Sequence, residues 1–392
     1  MNEAKYMAII IILLLIIIFI LGYEQWETFM TWLGRIKIGQ LSEAEWLEKT
    51  KEVLRKWLKK GAPEVPVNDS HNTNFIKKIN DYGKLTSVTY WQDASLLKAA
   101  NYLGEDMSEE VKSLISRYIR PDDGEWKVVP KRMDSAMLCF ELLSGKFTDR
   151  EKLRPAMESV AGMLKNAADN HGTIPYNESI PEYRFVDTVG MICPFMIKYA
   201  LTYSCEEYIS LAMKQIREYR EHGINEEIKI PFHSFKEESF EPLGVCGWGR
   251  GCAWWAIGLV DSLRTLLDSD GHNREKAELL KLSIEFLDAL KKYIHEDGTV
   301  DRIVLCFSIQ DSSACAMLAY CYAYMAELLD NEEYEKLAKK MIEKIRTVTR
   351  RNGVIDFAQG DTHGIGFYSE KLCVVPAAQG FAIAANEILQ RK

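Results

Sequence analysis

Residues 311–350 read DSSACAMLAYCYAYMAELLDNEEYEKLAKKMIEKIRTVTR. After Asp311, the stretch to Leu329 is apolar with Glu327 as its single charge, the pattern of a buried helix. Beyond the turn at Asp330-Asn331, apolar residues recur at three- and four-residue steps among charges, the pattern of an amphipathic helix. Outward from this pair the same reading recurs. It predicts helices over 41–60, 95–103, 134–143, 150–169, 187–203, 206–222, 253–267, 273–294, 311–329, 333–350 and 377–389. Ser42 and Glu45 form a capping box at the start of the first of these, and Gly61-Ala62-Pro63 ends it. Strand-like alternation is short and confined to places such as 228–235. Roughly one helix per 25–30 residues without a strict sequence repeat argues against a solenoid. Helical hairpins closed into a ring, an all-α (α/α)6 toroid, fit better, and such a ring gathers its loops, and any site, at one end.

The N-terminus differs from this body. Residues 7–21, MAIIIILLLIIIFIL, carry no charge. With Tyr6, Gly22 and Tyr23 they make a helix of about eighteen residues, ~27 Å long against a hydrocarbon core of ~30 Å. No A-x-A site or lipobox cysteine succeeds it, and Tyr6, Tyr23 and Trp26 sit where interfacial aromatics sit. A single-pass membrane anchor over 1–25 is therefore expected, with a cleaved signal peptide as the alternative. Lys5 and the terminal amine nearly balance Arg35 and Lys37 across the span, and the extracytoplasmic side is only slightly favoured for the helical body. The remaining chain divides into a connecting and first helical segment, 26–84, and a helical domain, 85–392.

Composition excludes some partners. With 49 basic and 57 acidic side chains, net charge −8, the chain lacks the basic surface that nucleic acid requires. The nine cysteines include no C-x-x-C pair and fall mostly in apolar helical stretches, as small hydrophobes with free thiols. No zinc ribbon, phosphate loop or other cofactor or metal site is implied.

Four segments place polar residues at the edge of apolar helices. Asp134 opens 134–143 and Asp187 opens 187–203, each readable as a helix cap or as an acid whose pKa is raised by desolvation. Two such carboxylates facing one cavity would be acid/base partners. Trp248-Gly249-Arg250-Gly251-Cys252-Ala253-Trp254 spells W-x-R-G-x-x-W. Its arginine offers a bidentate fork for a carboxylate and its tryptophans offer flat faces for a sugar ring, although a buried structural role serves as well. Asp311-Ser312-Ser313-Ala314 opens another apolar helix, where Asp and Ser are routine caps. His233 lies seventeen residues before Arg250, and His363 lies in the Gly-rich loop 360–364. For both, a hydrogen-bonded structural role is the simpler reading.

In order and spelling, DTVGMICPFM, GWGRGCAWWAIGL and DSSACAML resemble the unsaturated uronyl (glucuronyl and rhamnogalacturonyl) hydrolases, glycoside hydrolase families 88 and 105. The W-x-R-G-x-x-W and DSSA segments look like family 88, and D-T-x-x-M-x-x-P-F at Asp187 like family 105. The resemblance covers about residues 85 to 390. It implies an (α/α)6 barrel and an unusual reaction, in which the C4=C5 enol ether left by polysaccharide lyases is protonated and hydrated, and the resulting hemiketal opens. It implies Asp187 as principal acid/base and Asp134 as second active-site aspartate. Trp248, Arg250 and Trp254 would bind substrate, with Ser312 and Ser313 bordering the pocket, His233 near the family's active-site histidine, and Trp91 as a stacking or core residue. Met133, Cys252 and the lack of a His-Gln pair before Trp248 depart from family 88. The partners so implied are an unsaturated uronic-acid oligosaccharide and, through the N-terminal helix, a membrane. A glycan-binding homologue without catalysis, or another (α/α)6 glycanase or lyase, are the competing functions.

Overall fold

Apolar helices that must be covered on every side, alternating with helices that need cover on one, arrange themselves as an inner and an outer ring. The computed structural model describes residues 3–63, 65, 90–104, 107–177, 179–362 and 364–391. Its helices are α1 (Glu3–Arg35), α2 (Glu43–Lys60), α3 (Tyr90–Leu103), α4 (Ser108–Tyr118), α5 (Ser135–Ser144), α6 (Arg150–Ala167), α7 (Val186–Tyr203), α8 (Glu207–His222), α9 (Gly249–Leu267), α10 (Asn273–Leu290), α11 (Ser312–Leu329), α12 (Glu332–Thr347) and α13 (Pro376–Leu389). The inner helices α3, α5, α7, α9, α11 and α13 pack each on the next, and α13 returns to α3 to close the ring. Each of α4, α6, α8, α10 and α12 packs outside the inner helix that precedes it in the chain. The expected (α/α)6 toroid is the fold observed.

Helix α2 completes the outer ring. It packs on α13, α3 and α4, burying Trp46, Val53, Leu54, Trp57 and Leu58, and Trp46 Nε1 donates to Thr349 Oγ1 at 2.9 Å. The last inner helix is thus covered by α2, the first helical segment after α1. The expected domain start at residue 85 lies outside the described residues, as does His363. Helix α4 has an amphipathic sequence that the hydrophobic pattern alone did not single out. Helix α9 begins four residues before the expected 253, because Gly249 and Gly251 remain helical inside the packed ring. The capping box at Ser42 and Glu45 is present.

Close approach of α7 and α9 sets the site. A Cβ on Gly190 would come within 2.6 Å of the Trp254 carbonyl oxygen, and one on Gly258 within 2.8 Å of Val189. Glycine at these positions lets the two backbones meet, which brings the start of α7 beside the start of α9. Deeper in the ring, Lys98 Nζ pairs with Glu141 at 2.6 Å and Asp261 at 2.9 Å, and Tyr320 donates to Asp261 at 2.5 Å. These four side chains come from four inner helices and are all buried. Burial alone would lower the Lys98 pKa, but Asp261 and Glu141 outweigh it and raise it, so Lys98 stays charged.

Two small antiparallel sheets decorate the end at which the inner helices begin. In one, β1 (Tyr183–Phe185) pairs with β2 (Ser234–Lys236), which pairs with β3 (Pro242–Leu243). In the other, β4 (Ala358–Gln359) pairs with β5 (Leu372–Cys373). Helix α1 stands largely exposed, and its segment Lys5–Trp26 is long and apolar enough to cross a membrane. At its end Arg35 makes a two-pronged pair with Asp356, at 3.0 Å for each bond, and donates to the Leu372 carbonyl at 2.8 Å.

Candidate active site

The starts of α3, α5, α7 and α9, with the loops beside them, surround a cavity of about 500 Å³. A cavity of this size suits a small-molecule ligand. Trp91, Asp134, Asp187, His233, Trp248, Arg250 and Trp254 all line it, so seven of the nine residues singled out by sequence meet in one place. Ser312 and Ser313 do not line it. Ser312 Oγ donates to the Asp356 carbonyl at 2.6 Å, and Ser313 Oγ to Asp311 Oδ1 at 2.6 Å. The two serines stand behind the wall: Ser313 Oγ accepts from Nη1 of the lining residue Arg250 at 3.3 Å, and Ser312 serves the loop that precedes α13.

The aspartates that open inner helices fall into two kinds. Asp311 is a true cap: its Oδ1 accepts from the Ser313 amide at 2.9 Å and from the Gln359 amide at 3.0 Å. Asp134 occupies the cap position of α5 but makes no capping hydrogen bond. Its side chain is fully buried, Arg132 Nε donates to Oδ1 at 3.2 Å, and Oδ2 has no partner among the described residues. Burial raises the Asp134 pKa, and Arg132 with the backbone amides of Trp91 and Tyr90 opposes that rise without cancelling it. Asp187 sits in the first turn of α7, 8% exposed, and its Oδ2 is also without a hydrogen-bond partner among the described residues. A buried polar atom left unpaired is costly, and these two belong to residues that line the same cavity, where a ligand could pair them.

The β1–β2 register delivers His233 to Asp187. Phe185 pairs with Ser234, and the Val186 amide donates to the His233 carbonyl at 3.0 Å, so the chain entering α7 runs beside the histidine. His233 Nε2 lies 3.6 Å from Asp187 Oδ2. Its Nδ1 shares a 3.0 Å hydrogen bond with the Tyr368 hydroxyl, which accepts from the Val245 amide at 2.9 Å. Sequence gave no signal for Tyr368, because the contact spans 135 residues.

Arg250 is 2% exposed and packs by the faces of Trp248 and Trp91, 5.4 and 5.9 Å from the ring centroids. Its Nη1 donates to the Gln359 carbonyl at 2.7 Å and to Ser313 Oγ at 3.3 Å, and its Nη2 to the Gly360 carbonyl at 2.7 Å. A guanidinium has five N–H donors, so Nε–H and one Nη2 proton keep no partner among the described residues. Those two form the fork with which Arg35 holds Asp356 in the same protein. Trp248 is fixed by its Nε1–H to Gln359 Oε1 at 2.9 Å, and Trp91 meets Trp254 edge-on at 5.4 Å.

Arg132, Tyr176 and Asp361 also line the cavity and were not chosen from sequence. Burial raises the Asp361 pKa against the pull of Arg250 and Arg132. Burial, Asp134 and Asp187 push the Tyr176 hydroxyl well above the usual phenol range, which places that ring close to both aspartates. Their sequence context, a charged loop and a Gly-rich loop, carries no periodic signal. Among the described residues no cluster of three or more His, Cys, Asp or Glu side chains could hold a metal ion.

Residues 73–379 match the family model described as Glycosyl Hydrolase Family 88. No curated protein matches the chain. Among solved structures it is similar to a possible member of GH105 family from Klebsiella pneumoniae, 18% identical over 90% of this chain and 94% of that one, with a TM-score of 0.73. It is also similar to the unsaturated glucuronyl hydrolase from Bacillus sp. GL1, responsible for the degradation of glycosaminoglycan, 18% identical over 91% and 97%, TM-score 0.63. A third is an unsaturated glucuronyl hydrolase specific for heparin, 12% identical over 89% and 98%, TM-score 0.64.

Proposed function

The chain belongs to glycosyl hydrolase family 88, and from that premise we propose that it hydrolyses unsaturated uronyl oligosaccharides, the products of polysaccharide lyases. The carrying observation is that Asp134 and Asp187, each buried and with a carboxylate oxygen that has no hydrogen bond among the described residues, line one cavity together with Arg250 and its open fork. The Nε and Nη2 donors of Arg250 hold the C6 carboxylate, and Trp91, Trp248 and Trp254 offer apolar faces to the sugar.

Asp187, as the acid, gives its proton to C4. The C4=C5 electron pair forms the new C4–H bond, and positive charge develops at C5, shared with the ring oxygen. Water adds to C5 and passes its proton to the Asp187 carboxylate, which restores the acid. The product is a hemiketal at C5, and its opening breaks the link through the ring and releases the next sugar. His233 orients Asp187, and Asp134 supplies a second polar wall. Both catalytic oxygens are shielded from bulk water, where their electrostatic effect is largest.

Helix α1 is read as a single-pass anchor that keeps the toroid at a membrane, supported by its length, apolarity and exposure. A panel of lyase-generated disaccharides, differing in the sugar beneath the unsaturated uronate, tests the function. Release of that sugar from at least one member is expected. No turnover of any member by folded protein, with tight binding retained, would instead make the chain a glycan-binding homologue.

A further inference from the structure

Outside α1 and its exit turn, eight large apolar side chains stand exposed among the described residues. Six of them, Val128, Val129, Phe240, Phe307, Ile309 and Phe367, lie in loops that lead into inner helices, at the cavity end of the toroid. The other two, Leu267 and Leu328, close α9 and α11 at the opposite end. Phe307 is 97% exposed, Val128 77% and Phe367 71%, an arrangement water does not favour without a partner surface.

The anchor ends on this same face. Arg35 clamps Asp356 and the Leu372 carbonyl and stacks over Phe357 at 4.3 Å, all in the segment leading into α13. Phe357 and Leu372 share a surface depression with Ile309 and His295, and His295 lies 5.9 Å from the Phe307 ring. Phe307 and Ile309 therefore flank the foot of the anchor. Arg35 lies nine residues beyond Trp26, the end of the apolar span. At ~1.5 Å per residue that is ~14 Å, which sets the foot of the anchor just outside a headgroup layer of ~5–8 Å. Trp26, Phe29 and Trp32 form an exposed aromatic row along that distance, with ring centroids 6.2 and 5.9 Å apart. Exposed Lys127 and Lys131 bracket Val128 and Val129, a pairing of basic and apolar groups suited to anionic headgroups.

We propose that the cavity face of the toroid faces the lipid bilayer, with exposed Phe307 and Ile309 reaching down to the headgroup layer beside the anchor. This rests on the anchor reading and adds an orientation to it: the enzyme meets glycan ends at the membrane surface, with lipid bounding one side of the cavity mouth.

Cys306, next to Phe307, is the one exposed cysteine of nine and takes an environment-sensitive fluorophore. The full chain, labelled there and with Cys306→Ser as the labelling control, is reconstituted into phosphatidylcholine–phosphatidylglycerol vesicles. The protein should float with the vesicles, its emission should shift to the blue, and nitroxide lipids labelled near the headgroup should quench it. Phe307→Asp should abolish the shift while the protein still floats and still turns over soluble substrate. A floating protein with water-like emission overturns the proposed face and leaves the anchor standing. A blue shift insensitive to lipid nitroxide means that a second protein copy covers the patch and likewise overturns it. Failure to float overturns both the anchor and the face.

Discussion

His233 Nε2 faces Asp187 Oδ2 across 3.6 Å, while the opposite ring nitrogen is held by the Tyr368 hydroxyl at 3.0 Å. The histidine cannot turn away without breaking that bond, so the carboxylate has a fixed polar neighbour on one side and the open cavity on the other. Asp187→Asn should leave the fold intact and reduce kcat by ~10²–10⁴-fold, the usual contribution of a general acid/base. His233→Ala should act through kcat more than KM, because it removes an orienting group and no part of the sugar-binding surface. Steady-state kinetics on the best disaccharide decide this, and a loss under about tenfold for Asp187→Asn would remove it from the acid/base role.

Arg250→Lys keeps the charge and removes the fork. A point-charge ammonium cannot hold two carbonyls and a carboxylate at once. Binding of substrate should weaken by about 10- to 100-fold, the scale of hydrogen bonds to charged groups. Direct titration of substrate into the Asp187→Asn background, with and without Arg250→Lys, checks it, and equal affinity would leave Arg250 with only its structural bonds to Gln359 and Gly360.

Asp134 should carry a stability cost for its function. Its folded-state pKa is raised above 3.8 by burial. As pH rises past that value the unfolded chain releases the proton while the folded one retains it, so stability falls until the folded carboxyl ionises as well. Asp134→Asn should then unfold at a higher temperature than the natural protein near neutral pH. The gain should shrink as pH falls towards 3.8, and activity should drop by ~10²-fold or more. Identical thermal midpoints across the pH range would contradict the buried, cavity-facing carboxylate.

Truncation separates span from clamp. Removing residues 1–26 should release a soluble, folded and active toroid. Removing residues 1–35 should destabilise it by about 1–3 kcal/mol, because buried Asp356 would keep only Arg350 as its ionic partner. Thermal midpoints of the two truncations measure the difference, and equal values would mean that Arg35 contributes nothing to the fold.

Much of this was legible in the sequence, for identifiable reasons. Inner helices such as 311–329 are apolar all round and outer ones such as 333–350 amphipathic, so hydrophobic periodicity reports the two rings directly. Asp134, Asp187 and the tryptophan–arginine element stand out because each interrupts an apolar run. Local spelling cannot separate a capping aspartate from a catalytic one. Asp311 and Asp134 open helices alike, and only the three-dimensional surroundings tell them apart: the Ser313 and Gln359 amides on Oδ1 for Asp311, and no capping bond but a place in the cavity lining for Asp134. The same limit hides that Ser313 acts behind Arg250 and does not itself line the cavity. Tyr176 and Asp361 reach the cavity, and Tyr368 reaches His233, from irregular loops, where side-chain direction obeys no period.

The central claim is that Asp187 protonates a carbon of an enol ether and does not attack at an anomeric centre. Its most direct test is turnover in deuterated water of an unsaturated disaccharide beside its saturated counterpart of the same linkage. The account predicts loss of the ultraviolet absorbance of the conjugated acid, one deuterium at C4 of the product, and no cleavage of the saturated compound. Comparable cleavage of both compounds, without deuterium at C4, would contradict it.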